Sequence, residues 1–227
     1  MLLFLLAVFL YAFSLILYIP SPDSLKAKAI SRTQNFWSIR ASFFTGILII
    51  VLFFITSDFN FLVIDEKSFE KLALHCPPAS ILSLLFQLIS HAFVHLDIMH
   101  LLGNLTAIGI FSVYERRVGP RRFLAILAVG CISAILSVFF HAQPYTVCGI
   151  SGGVYGLAAA YFLDHEDLSL KDWIYSLIAF VFLMAVFSVI DELESKKTLP
   201  YNIDHLGHAF GAIGAVAYCY FSPRILK

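Results

Sequence analysis

Ser151 stands in Gly-Ile-Ser-Gly-Gly, and His208 in Gly-His-Ala-Phe-Gly. A serine hydroxyl becomes a competent nucleophile when a base takes its proton, and histidine is the usual base. Acyl transfer by such a pair also needs donors aimed at the oxyanion of a tetrahedral intermediate. The stretch His91–Leu105 carries candidates, because His100 and Asn104 are four residues apart and share one face of a helix. The backbone N–H of Ser151 is a third donor. Tyr155, one helical turn after Ser151, can pack against an imidazole, so a base held by packing needs no partner carboxylate.

These polar groups sit in a chain built for lipid. Of 227 residues, 60% are hydrophobic and 13% charged, and the mean hydropathy is +0.87. No soluble domain has a core large enough for that much apolar sequence, so the class is integral membrane protein. The formal net charge is zero, without a basic patch suited to nucleic acid. The four cysteines show neither CxxC nor zinc spacing. A Cys76–Cys148 disulfide requires both to lie on one side of the membrane. Neither a cofactor nor a metal is expected.

Seven segments are candidate spans: 1–19, 40–57, 98–115, 121–141, 149–163, 172–190 and 203–221. Most approach the roughly 20 apolar residues that cross a hydrocarbon core of about 30 Å. The segment 149–163 is short and glycine-rich, and has to lie protected among neighbours. The first segment lacks the basic start and small-residue cleavage site of a signal peptide, and is read as a retained helix. The run Ser80–Ser90 is too short to span and reads as an interfacial or re-entrant helix.

Lys and Arg set the orientation. Lys26, Lys28, Arg32 and Arg40, then Arg116, Arg117, Arg121 and Arg122, then Arg224 and Lys227 fall on one side, which the positive-inside rule makes cytoplasmic. The acidic connection 164–171 shares that side, and Lys67, Lys71, Lys196 and Lys197 fall opposite. The helices beginning near 98, 149 and 203 then enter from the outer face. They carry His100 and Asn104, Ser151 and Tyr155, and His205 and His208. At 1.5 Å per residue, none of these groups lies more than about 10 Å below the outer surface. The pairs Gly149/Gly153, Gly152/Gly156 and Gly207/Gly211 allow close backbone approach in lipid.

The ordered set His91/His95/His100/Asn104, Gly149-Ile150-Ser151-Gly152 with Tyr155, and Gly207-His208-Ala209-Phe210-Gly211 resembles the signatures of the rhomboid family of intramembrane serine proteases. The resemblance runs over residues 40–221. It implies an all-α polytopic membrane bundle with a six-helix core plus one N-terminal helix. The domains expected are 1–39, the N-terminal helix and linker, and 40–227, the protease core. It further implies a Ser151–His208 dyad that cleaves transmembrane segments near the outer face of the bilayer. Expected partners are transmembrane proteins and the lipid bilayer, and the expected location is a bacterial inner membrane with the site facing the periplasm. Close packing beside Gly207 and Gly211 and the family pattern both favour His208 as base, with His205 the alternative. His95 is a supporting residue. The Trp-Arg pair frequent in the family's first outer loop has no counterpart between Asp58 and Ser90. The Glu-Arg segment at Tyr114–Gly119 stands one residue nearer Asn104 than the family pattern.

Two other classes compete. A metal transporter can use His91, His95, His100, His205 and His208 as ligands, but leaves Ser151 without a role. A rhomboid-like binder without catalysis usually lacks the serine or the histidine, and this chain has both. His141 and His165, at helix ends, read as solvated.

Overall fold

The computed structural model describes residues 32–142, 144–164 and 203–222, with single helical positions at Leu5, Phe9, Tyr11, Lys171, Ile174, Ile178 and Val181. The expected spans 1–19 and 172–190 therefore lie largely outside the described residues, as do His165 and the 191–202 connection. The chain forms two compact units, residues 1–125 with 143–150 and residues 126–142 with 151–227.

In the first unit, α1 (Arg32–Ser38) precedes α2 (Arg40–Thr56). The connection that follows holds α3 (Glu66–Leu72), β1 (Leu74–Cys76), α4 (Ile81–Ser90) and a 3₁₀ turn, His91–Phe93. Then comes α5 (Ile98–Val118), three residues longer at its C-terminal end than its apolar run suggests. Asp97 starts α5 by accepting the His100 N–H at 2.8 Å, and Gly119 ends it at φ +82°, a conformation that favours glycine. α2 packs on α5, burying Ile49, Ile50, Phe53, Leu101 and Ile108. Glu115 holds the other end of this pair. Its carboxylate accepts the Ala41 and Ser42 N–H groups, both at 2.8 Å, and the Ser42 hydroxyl at 2.7 Å. A negative charge there satisfies orphan donors at the N-terminus of α2. The Tyr11 hydroxyl donates to the Ser42 carbonyl at 2.6 Å, which ties Tyr11 to the same turn.

α4 is a helix where a non-spanning one was expected. Ser80 and Ser83 form a capping box at its start. Ile81, Leu82, Leu85, Phe86 and Ile89 are exposed, while Gln87 is buried. Its side chain accepts the His75 N–H and donates to the Lys71 carbonyl. An apolar face turned outward and a polar side chain turned inward suit a helix lying in lipid rather than water.

The sequence did not announce the pairing of β1 with β2 (Tyr145–Val147). Leu74 lies opposite Val147, His75 opposite Thr146 and Cys76 opposite Tyr145. This register also separates two cysteines. Cys76 and Cys148 sit at opposite ends of a three-residue ladder, and both are free thiols.

In the second unit, residues 126–134 complete α6 (Pro120–Ala134), which tightens into a 3₁₀ segment, Ile135–Phe139. α7 (Ser151–Leu163) and α8 (His205–Phe221) make the most extensive helix pair among the described elements. α7 is buried continuously from Gly152 to Ala160. A thirteen-residue helix rises about 20 Å, too short to cross a bilayer core, and here it is enclosed by protein. α5 and the run Pro120–Phe139 are long and apolar enough to span a membrane.

Candidate active site

Small residues bring α7 and α8 together. A Cβ placed on Gly211 would run into the Gly152 carbonyl, and one on Gly156 would press on the Gly211 carbonyl and Ala215. Residues 126–134 close the other side, because a Cβ on Gly153 would strike Leu127 and Cys131, and Gly130 lies against the Gly152 carbonyl. Gly152 and Gly211 are thus points of close backbone approach, and Gly130 joins them. Gly207 differs. A Cβ there would meet the carboxylate of Asp204, so this glycine makes room for a helix cap, and Gly211 supplies the close approach.

The approach sets Ser151 Oγ 2.9 Å from His208 Nε2. With the hydroxyl donating, the neutral imidazole carries its proton on Nδ1. Tyr155 stacks on this ring, with centroids 4.0 Å apart and planes 19° from parallel. His208 and Tyr155 are both buried, whereas His205 is exposed, its ring meeting His208 edge-on at 6.3 Å. Of the two histidines in this motif, His208 is the one hydrogen-bonded to the serine.

The first unit holds the other polar residues. His100 Nδ1 accepts the Leu96 N–H at 3.4 Å, which leaves the neutral ring's proton on Nε2. Cε1 and Nε2 of this ring lie where a Cβ on Gly149 would be, 2.7 Å from each, and Gly149 has φ +103°. A side chain at Gly149 is thus excluded twice, by space and by backbone conformation. The Gly149 N–H donates to the His91 carbonyl at 2.8 Å. His91 is buried, its Nδ1–H directed at the Gln87 carbonyl at 2.9 Å. Burial holds its imidazole below the ordinary histidine range. His95 is completely buried against His100, ring centroids 5.0 Å apart. Burial, then the neighbouring His100, holds its imidazole well below the usual 6.5. Asn104 is buried, and its amide donates to the His100 carbonyl one turn back, at 3.0 Å.

His141, expected to be solvated, has its Nε2 3.1 Å from an Asp204 oxygen. This contact joins residues 63 apart in sequence, which no local pattern signals. The available clue was Asp204 itself, an aspartate immediately before a helix, the position of a cap. Among the described residues, no group of three or more His, Cys, Asp or Glu is placed to hold a metal ion.

The sequence model of the Rhomboid domain matches residues 83–224, well over half of the chain. The chain belongs to the rhomboid family, an intramembrane-protease-type family that also includes inactive members. It is an integral membrane protein with an all-α, rhomboid-like helical bundle. No curated protein matches it.

Proposed function

We propose that this protein is an intramembrane serine endopeptidase that uses a Ser151–His208 dyad on transmembrane segments of other proteins. The observation that carries the reading is the 2.9 Å hydrogen bond between Ser151 Oγ and His208 Nε2, beneath a stacked tyrosine. Family membership alone does not carry it, since inactive members exist.

Ser151 Oγ attacks the scissile carbonyl carbon while its proton passes to His208 Nε2. The carbonyl electron pair moves onto oxygen, and the Ser151 N–H, His100 Nε2–H and the Asn104 amide are the donors assigned to it. Losing one such donor typically costs roughly 10²–10³ in rate. Collapse expels the amine, which leaves with the proton from His208. Water then releases the acyl group from Ser151, with His208 again taking and returning the proton. Tyr155 fixes the plane of the ring, the work a third polar residue does in other hydrolases. The reading takes the membrane as a bacterial inner membrane and residues 40–227 as the protease core, and the bias of the Arg-rich segments supports the catalytic end of these helices facing outward. A substrate helix satisfies its own backbone in lipid and hides its carbonyls until it unwinds. Cleavage is therefore proposed in the outer part of a single-pass helix, at a small residue near Gly or Pro.

A tagged fluorophosphonate tests the chemistry. The purified protein should be labelled at Ser151, and a His208→Ala variant should not be. A correctly folded protein that takes no label at Ser151 is a binder rather than an enzyme.

A further inference from the structure

The first turns of α8 are fastened to residues 137–141, at the end of the 3₁₀ segment Ile135–Phe139. Asp204 accepts the Gly207 N–H at 2.8 Å as the cap of α8. The same carboxylate accepts the hydroxyl of Ser137 at 2.5 Å and faces Nε2 of His141 at 3.1 Å. Ser137 is fully buried, and the Asp204 side chain is 15% exposed. The Asp204 carbonyl accepts the His208 N–H at 3.0 Å. Phe140 adds an apolar contact, its ring 5.4 Å from that of Phe210. Three side chains of residues 137–141 thus converge on the turn that carries His208.

A helix cap needs one acceptor oxygen. The second oxygen of Asp204 accepts from Ser137, in a largely buried position where a neutral cap residue would be less costly to place. An asparagine would cap as well and keep an oxygen toward His141, but its amide N–H₂ would replace the oxygen that accepts the Ser137 hydroxyl. The choice of a carboxylate is explained by the second set of contacts rather than by the cap.

We infer that Asp204 is a positioning residue for the base: through Ser137 and His141 it locks the first turn of α8 so that His208 stays within hydrogen-bond reach of Ser151. This rests on the dyad proposed above. Asp204 touches neither reacting atom. Its effect is on the rate at which a formed site reacts, because a misplacement of about 1 Å can cost as much as 10²-fold.

The test compares Asp204→Asn and Ser137→Ala with wild type in detergent. It reads the second-order rate of fluorophosphonate labelling at Ser151, kcat and KM on a transmembrane substrate, and thermal unfolding. Both variants should unfold within a few degrees of wild type yet label about ten- to a hundredfold more slowly, with kcat lowered and KM little changed. The two effects should also be strongly non-additive in the double variant, as expected of groups sharing one contact. Labelling at the wild-type rate in either variant overturns the assignment, as does a loss of rate that only follows a loss of folded protein. If Asp204→Asn does not fold, Ser137→Ala decides alone, since it leaves the cap intact. Absence of label in the wild-type protein sinks the protease reading itself, and is distinguished from failure of the Asp204 role by that control.

Discussion

At the scale of single residues, two histidines three positions apart have opposite surroundings. His208 is buried, stacked and bonded to Ser151, and His205 is exposed. His208→Ala should lower turnover of a transmembrane substrate by roughly 10⁴-fold or more, while His205→Ala should keep a measurable fraction. Turnover that survives only in His208→Ala would reverse the assignment. A second prediction concerns His95, buried with neither ring nitrogen in a hydrogen bond among the described residues. Its folded-state affinity for protons is lowered by burial first and by His100 second. The unfolded chain takes up a proton near pH 6.5, and the folded chain does so only well below it. Stability contributed by the neutral ring is therefore whole above pH 6.5 and falls as pH drops, by up to about 1.4 kcal/mol per pH unit for one proton. His95→Phe should flatten this fall in a pH series of thermal unfolding. An identical slope in the variant would mean that other groups carry the acid sensitivity.

At the scale of elements, the pairing of α7 and α8 is a matter of backbone approach. Gly211→Leu would drive a side chain into the Gly152 carbonyl. Overpacking of this kind typically costs roughly 1–3 kcal/mol, and here it also pries the base-bearing helix from the serine-bearing one. The variant should melt earlier and lose cleavage, whereas Gly103→Ala, where a Cβ meets nothing, should match wild type on both counts. Glycine spacing made this pairing legible in the sequence, because the same residues that permit close packing frame Ser151 and His208. Other elements were not legible. The β1–β2 ladder joins short segments some seventy residues apart, and three-residue strands have no periodicity to read. The Asp204 contacts to Ser137 and His141, and the Glu115 contacts to α2, are likewise distant in sequence. Only the cap-like position of Asp204 left a trace. Gly207 shows the limit of pattern reading, since a GxxxG spacing pointed to helix packing and the residue instead clears space for a carboxylate.

At the scale of the whole molecule, an apolar chain carries three separated polar motifs. Hydropathy made the membrane class legible, and three separated motifs made the family legible, later matched over residues 83–224. The proposed orientation rests on the arginines and lysines, from which the positive-inside rule assigns the site-bearing helix ends to the outer face. The central claim is that Ser151 cleaves a transmembrane helix there. The most direct measurement reconstitutes the full chain in liposomes with a single-pass substrate and determines product masses, beside a Ser151→Ala control. The account predicts one cut in the outer part of the substrate helix, absent from the control. Equal cleavage by Ser151→Ala, or a cut on the cytoplasmic side, would contradict it.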